Sequence, residues 1–216
     1  MLPSLEGRVI GVVGWKDSGK TRVIEGLVRF FKDKGFTVGT VKHIKENLKI
    51  QDEVTDSGRH LGAGAQACVV VGDDATVIFK AEPLTWDQAI CRYLGLCDLV
   101  IVEGFKHESL PKIMVKDERE EPQAVEGIVA VVGDVKDERY PSFGFDEVAA
   151  LGDFLLEKQI VRIEPGSIHL VVNGKPVSMN DFVRKAFSGV ITGFVTTLKR
   201  IEKPTTIELI LRLPEE

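Results

Sequence analysis

Gly14-Trp15-Lys16-Asp17-Ser18-Gly19-Lys20-Thr21 constrains this chain more than any other stretch. It has the form G-x-x-x-x-G-K-T, preceded by the apolar run Val9–Val13 and followed by Arg22–Lys32, whose apolar residues recur at helical spacing. A buried strand leading through such a bend into a helix cradles phosphates. Its glycines let backbone N–H groups approach an anion with no Cβ in the way. The helix start then adds unpaired N–H groups and a partial positive charge at the same point. Gly14, Asp17, Ser18, Gly19, Lys20, Thr21 and Arg22 are therefore the expected nucleotide-binding stretch. Lys20 would reach the β- and γ-phosphates, and the Thr21 hydroxyl would ligate Mg²⁺.

The rest of the chain reads as alternating strands and helices. Val23, Ile24, Leu27, Val28 and Phe31 share a helical face, and Gly35 is placed to end that helix. Phe36–Val41 reads as a second strand, ending in Lys42-His43. The polar segment 45–65 follows, where ligand-ordered switches sit in nucleotide-binding proteins; a solvated loop leading to a helix is the plainer reading. Ala67–Val71 and Thr76–Lys80 flank Gly72-Asp73-Asp74 as a hairpin, with Cys68 expected as a small buried hydrophobe. Thr85 and Gln88 form a capping box before a helix over 86–96. Leu99–Val102 is apolar and β-branched enough for a fully buried parallel strand. It presents Glu103 at its carboxyl end, either to Mg²⁺ or as a simple strand cap. Further strands are expected over 110–115 and 127–132, then a helix capped by Asp146 through about Lys158.

A composition shift near 159–166 suggests a boundary between a nucleotide-binding domain (1–160) and a small module (161–216). The module reads as a hairpin turning at Asn173-Gly174, a helix capped by Asn180 or Asp181, and a last strand over Thr205–Leu213. The expected architecture is α/β: a P-loop NTPase-like, mostly parallel sheet with helices on both faces, plus this α+β module.

Composition limits the functions open to such a chain. A net charge of −5 without a Lys/Arg-rich block argues against a general nucleic-acid surface. Apolar runs too short to cross a bilayer, and no visible leader, point to the cytoplasm and away from a membrane. Cys91 and Cys97 do not have zinc-site spacing. His107 and His169 have no partner within motif distance, so neither is read as a ligand.

Five short motifs recur in one order: the phosphate loop, Val41-Lys42-His43, Asp56-Ser57-x-Arg59-His60-x-x-Ala63-Gly64-Ala65, Leu99–Lys106 and Pro111-Lys112-Ile113. The set, covering about residues 7–150, resembles the MobB family, molybdopterin-guanine dinucleotide biosynthesis protein B. That resemblance implies a GTP-binding, weakly GTP-hydrolysing homodimer. It would assist a MobA-like guanylyltransferase partner that attaches GMP to molybdopterin, giving molybdopterin-guanine dinucleotide. Lys20, Glu103 and Asp56 are then the candidate catalytic residues, with Thr21 and Glu103 at the metal. Lys42, His43, Asp56, Ser57 and Arg59 would surround the nucleotide or the pterin phosphate. Two positions depart from the pattern: Gln51 stands where the family has an acid, and Val54-Thr55 replaces its Gly-Lys.

The base is left open. A strict guanine-reading N-K-x-D is absent from Val135-Lys136-Asp137-Glu138, although Asp134 or Glu138 can accept from the guanine N1–H and N2–H₂. Lys16 precedes Lys20 by four residues, whereas the second lysine of some dimeric P-loop ATPases precedes it by five, a position held here by Trp15. A P-loop small-molecule kinase and a nucleotide-dependent adaptor that grips a metalloenzyme through its C-terminal module are the alternatives.

Overall fold

Val9–Gly14 forms β1, and every residue of it is buried. A computed structural model describes residues 5–44, 55–117, 125–134, 137–162, 168, 170–173, 175–177, 179–199 and 203–211. In it β1 is the third strand of a six-stranded sheet, paired in parallel with β5 (Leu99–Glu103) on one side and β6 (Lys112–Lys116) on the other. Outside β5 lies β2 (Val38–Lys42). Outside β6 lie β7 (Ile128–Gly133) and the two-residue β8 (Ser142–Phe143). The order is β2-β5-β1-β6-β7-β8, every pairing parallel.

A strand covered on both faces needs apolar side chains at odd and even positions alike. Ile10 and Val12 enter one core with Leu99, Ile101, Ile113, Val115, Ala130 and Val132. Helix α1 (Lys20–Asp33) covers that face with Val23, Leu27 and Phe31, and α4 (Val148–Glu157) with Val148, Leu151 and Leu155. Each such burial is worth about 1.5–3 kcal/mol. On the opposite face, Val9, Val100 and Val102 meet Ile90 and Cys91 of α3 (Trp86–Tyr93). Helices therefore lie on both faces, as the sequence pattern implies.

Gly35, at φ +88, ends α1 with its N–H on the Lys32 carbonyl. The predicted capping box forms, with the Thr85 N–H donating to Gln88 Oε1 at 3.0 Å. Helix α4 starts later than its sequence suggests. Asp146 does not cap it; Glu147 holds the cap position, and its carboxylate accepts from Gly144 N–H at 2.7 Å.

β3 (Ala67–Val71) and β4 (Thr76–Lys80) form the expected antiparallel hairpin. The hairpin is a sheet of its own, so Val69, Val70, Val71, Val77 and Ile78 are exposed. Cys68 is only half-buried, contrary to the sequence reading. An apolar run is buried only when a second layer covers it, and this two-stranded sheet is not layered on the main one.

Beyond Arg162 the chain forms the hairpin β9 (Leu170–Val172) and β10 (Lys175–Val177), then α5 (Asp181–Thr196). Asn180 Oδ1 caps α5 by accepting from Val183 N–H at 2.9 Å. β10 lies against α3. The expected last strand is not formed: residues 205–211 pair with no strand, and Leu209, Ile210 and Leu211 stand exposed. Alternation supplies a face but not a partner edge, and a strand needs both. Leu213 lies outside the described residues, as do Gln51, Val54 and the 135–136 dipeptide.

Candidate phosphate site at the carboxyl edge of the sheet

The chain leaves β1 at Gly14 and enters α1 through Gly19, whose φ of +94 is left-handed. A Cβ on Gly14 would lie 2.5 Å from the Val115 carbonyl oxygen, and one on Gly19 would lie 2.7 Å from the Phe145 ring. Neither position tolerates a side chain. Asp17 is also left-handed, at φ +61, a conformation Asp adopts more readily than most residues. No side chain caps the start of α1, and its first turn holds no acid. Its leading N–H groups and dipole are therefore not neutralised from within the helix. Ser18 is 5% exposed, and its hydroxyl finds no hydrogen-bond partner among the described residues. A buried hydroxyl without a partner beside these N–H groups suits a bound anion.

Lys20 is the first residue of α1, and its ammonium donates to the Trp15 carbonyl. Burial lowers its pKa; Glu103 and Asp17 act against that, while Lys106 and Lys42 add to it. These charges thus share one neighbourhood. Lys42 and Glu103 are register partners on β2 and β5, and their side chains pair at 3.3 Å with Glu103 19% exposed. The His43 N–H donates to the Glu103 carbonyl at 3.1 Å, and its ring lies 4.8 Å from that of Phe105. Thr21 and Arg22 are exposed on the first turn, with the Arg22 guanidinium 5.1 Å over the Phe145 ring.

The other expected site residues make local contacts of their own. Thr55 Oγ1 caps α2 (Asp56–Gly62) by accepting from Gly58 N–H at 3.1 Å. Asp56 and Arg59 pair with each other across one turn, at 3.7 Å. Asp134 is exposed just after β7, at the same sheet edge but two strands from β1. Its neighbour Asp137 is committed internally: it is 4% exposed and meets Lys116 Nζ at 2.5 Å and Arg139 at 2.8 Å. Arg139 and Lys116 hold its carboxyl well below the usual carboxylate range.

Among the described residues no cluster of three or more His, Cys, Asp or Glu side chains forms a metal cage. One hydroxyl, one carboxylate and ligand phosphates are nevertheless the set Mg²⁺ commonly takes. Thr21 and Glu103 fit it.

Two neighbours of the loop escape sequence reasoning. Phe145 fills the space a Gly19 side chain would need. The Lys106 ammonium lies 5.2 Å over the Trp15 ring. Lys106 stands in one of the five motifs, but the motif does not tell which way the chain turns after Glu103.

A parallel sheet with helices on both faces, with a glycine-bordered bend leading from β1 into α1, defines a P-loop NTPase-like α/β protein. A family model described as MobB, molybdopterin guanine dinucleotide synthesis protein B, matches residues 9–134, more than half of the chain. The chain belongs to the MobB family. It is 26% identical to a Methanocaldococcus jannaschii protein that carries the name "Putative molybdopterin-guanine dinucleotide biosynthesis adapter protein", over 94% of this chain and 96% of that one. A molybdopterin-guanine dinucleotide biosynthesis adapter protein of Haemophilus influenzae is 32% identical over 50% of this chain and 62% of its own. The crystal structure of a MobB homolog from Bacillus stearothermophilus superposes with a TM-score of 0.53 at 30% identity, covering 70% of this chain and 97% of that one. No helix among the described residues is long and apolar enough to cross a membrane.

Proposed function

We propose that this chain binds GTP with Mg²⁺ at the Gly14–Thr21 bend. There it acts as an adapter in the cytoplasm while a separate guanylyltransferase attaches GMP to molybdopterin. The observation that carries this reading is the convergence of Lys20, Lys42 and Glu103 on one open bend. Lys20 and the first-turn N–H groups would hold the phosphates, with Thr21 and Glu103 at Mg²⁺. Bound Mg²⁺ would neutralise charge on the β- and γ-phosphate oxygens. Lys42 and His43 would line the side nearer β5, and Asp134 the side nearer β7, where a base can lie. Asp56 and Arg59 would join only from α2. The relatives named as adapters support the pathway. Exposed apolar surface on β3, β4 and α5 supports a homodimer and a protein partner, with the elements beyond Arg162 as the separate unit. Turnover would be slow, because none of the described groups gathered at the loop is an arginine finger or a water-orienting glutamine.

Calorimetric titration of GTP, ATP and a molybdopterin mimic in Mg²⁺ tests the ligand, and a reconstituted guanylylation assay tests the role. GTP should bind, and adding the chain should raise cofactor guanylylation. Guanylylation that is unchanged without the chain at physiological GTP removes the adapter role. Rapid nucleoside diphosphate release dependent on one metabolite replaces it with a kinase.

A further inference from the structure

Glu103 is followed by two consecutive left-handed residues, Gly104 at φ +93 and Phe105 at φ +55. For an aromatic residue that conformation is costly and persists only where neighbours hold it. Here the Phe105 ring lies 4.8 Å from His43 and 6.3 Å from Trp86, and Gly104 N–H donates to the Val12 carbonyl at 3.0 Å. The far end of the loop is fixed by Lys112, which is 1% exposed. Its ammonium donates to the carbonyls of Glu108, of Leu110 at 3.4 Å and of Glu126 at 2.8 Å. A loop clamped at both ends and forced through a left-handed turn holds what it carries in one place. It carries the Lys106 ammonium to the face of Trp15, inside the phosphate loop.

Lys106 then stands with Lys20 and Lys42 against the carboxylates of Glu103 and Asp17, leaving the bend with surplus positive charge. Three ammonium groups against two carboxylates would still attract a further anion. An exposed contact with an aromatic face is weak beside a charge-assisted bond to a phosphate oxygen, so a polyphosphate would draw Lys106 away from the ring. Lys106 stands on the loop three residues beyond Glu103, the expected metal-side carboxylate, where bound Mg²⁺ would neutralise charge on the β- and γ-phosphates. On that reading Lys106 would lie toward the terminal phosphate.

We propose that Lys106 is a second phosphate-binding lysine, carried by the clamped loop after β5 to the terminal phosphate of the bound nucleotide. The proposal rests on the nucleotide reading given above and deepens it: Lys106 makes the site prefer a triphosphate to a diphosphate.

The test titrates GTP and GDP, each with Mg²⁺, into the full chain as wild type, Lys106→Met and Lys106→Arg. Methionine keeps the stem and removes the charge. Lys106→Met should lose about tenfold in GTP affinity, the scale of one hydrogen bond to a charged group, and under about twofold in GDP affinity. Lys106→Arg should restore most of the GTP affinity. In a Trp86→Phe background, Trp15 emission should change with GTP and much less with GDP. A GTP-to-GDP preference unchanged in Lys106→Met, when wild type binds both, overturns the proposal. If wild type binds neither nucleotide, the reading of the whole site fails, and the proposal with it.

Discussion

Lys20 has two acceptors competing for one ammonium. In the structure it donates to the Trp15 carbonyl, a neutral acceptor within its own loop. A phosphate oxygen offers a charge-assisted bond of about twice the strength, so a ligand can take the lysine over. GTP at a hundred times its dissociation constant would stabilise the fold by about 2.7 kcal/mol, about 5–10 °C in a chain of this size. Lys20→Ala should abolish that rise in scanning fluorimetry; a variant that keeps the full shift shows the phosphates lie elsewhere. Asp137 makes a different prediction. Its folded pKa lies below that of the unfolded chain, so its pairing with Arg139 and Lys116 stabilises the fold above the ordinary carboxylate range. That contribution fades as pH falls through about 4 and below. Wild type should therefore melt above Asp137→Asn at neutral pH, and the gap should narrow in acid. A gap constant down to pH 2 contradicts the assignment.

The two-helix layer over the sheet depends on glycine. α1 and α4 approach so closely that a Cβ on Gly152 would sit 2.3 Å from the Phe30 ring, itself 5.1 Å from Phe31 with Lys34 over its face. Alanine gains about 1 kcal/mol of helix propensity there, but overpacking costs about 1–3 kcal/mol. Gly152→Ala should lower urea stability by up to about 2 kcal/mol. Gly189→Ala in α5 meets nothing within 4 Å, so it should show propensity alone and no loss. Equal effects at the two sites remove the packing argument. Such element-level detail also marks where the sequence is readable. The five long strands of the main sheet announce themselves as apolar runs, and Lys20, Thr21 and Glu103 by their places at strand and helix ends. Ser142–Phe143 is too short to show a period. The bend that aims Lys106 depends on the left-handed Phe105, which propensity does not mark. Cys68 and residues 205–211 fail for one shared reason: periodicity reports an apolar face and is silent on what covers it.

At the scale of the molecule, the phosphate loop and the C-terminal elements occupy opposite regions of the sheet. The loop lies at the carboxyl ends of the strands. β10 lies against α3, and Arg8, at the opposite end of β1, donates to the Gly95 carbonyl at 3.0 Å and to the Cys97 carbonyl. Burial lowers the Arg8 pKa, and Arg184 of α5 stands near enough to add repulsion. A chain ending at Arg162 keeps Val161 in the core and the Arg162 N–H on the Gly7 carbonyl at 2.7 Å. It should bind GTP within about threefold of the full chain, a difference below 1 kcal/mol, as measured by calorimetry. The apolar face of α5 makes the second half of the prediction. Phe182, Phe187, Val190 and Phe194 are exposed, and no residue of that helix is buried. If that face holds the protein partner, the shortened chain should no longer co-elute with the guanylyltransferase while GTP binding persists. Loss of GTP affinity together with partner binding would mean that the two ends of the sheet are coupled, and the division near residue 160 would no longer describe two separable units.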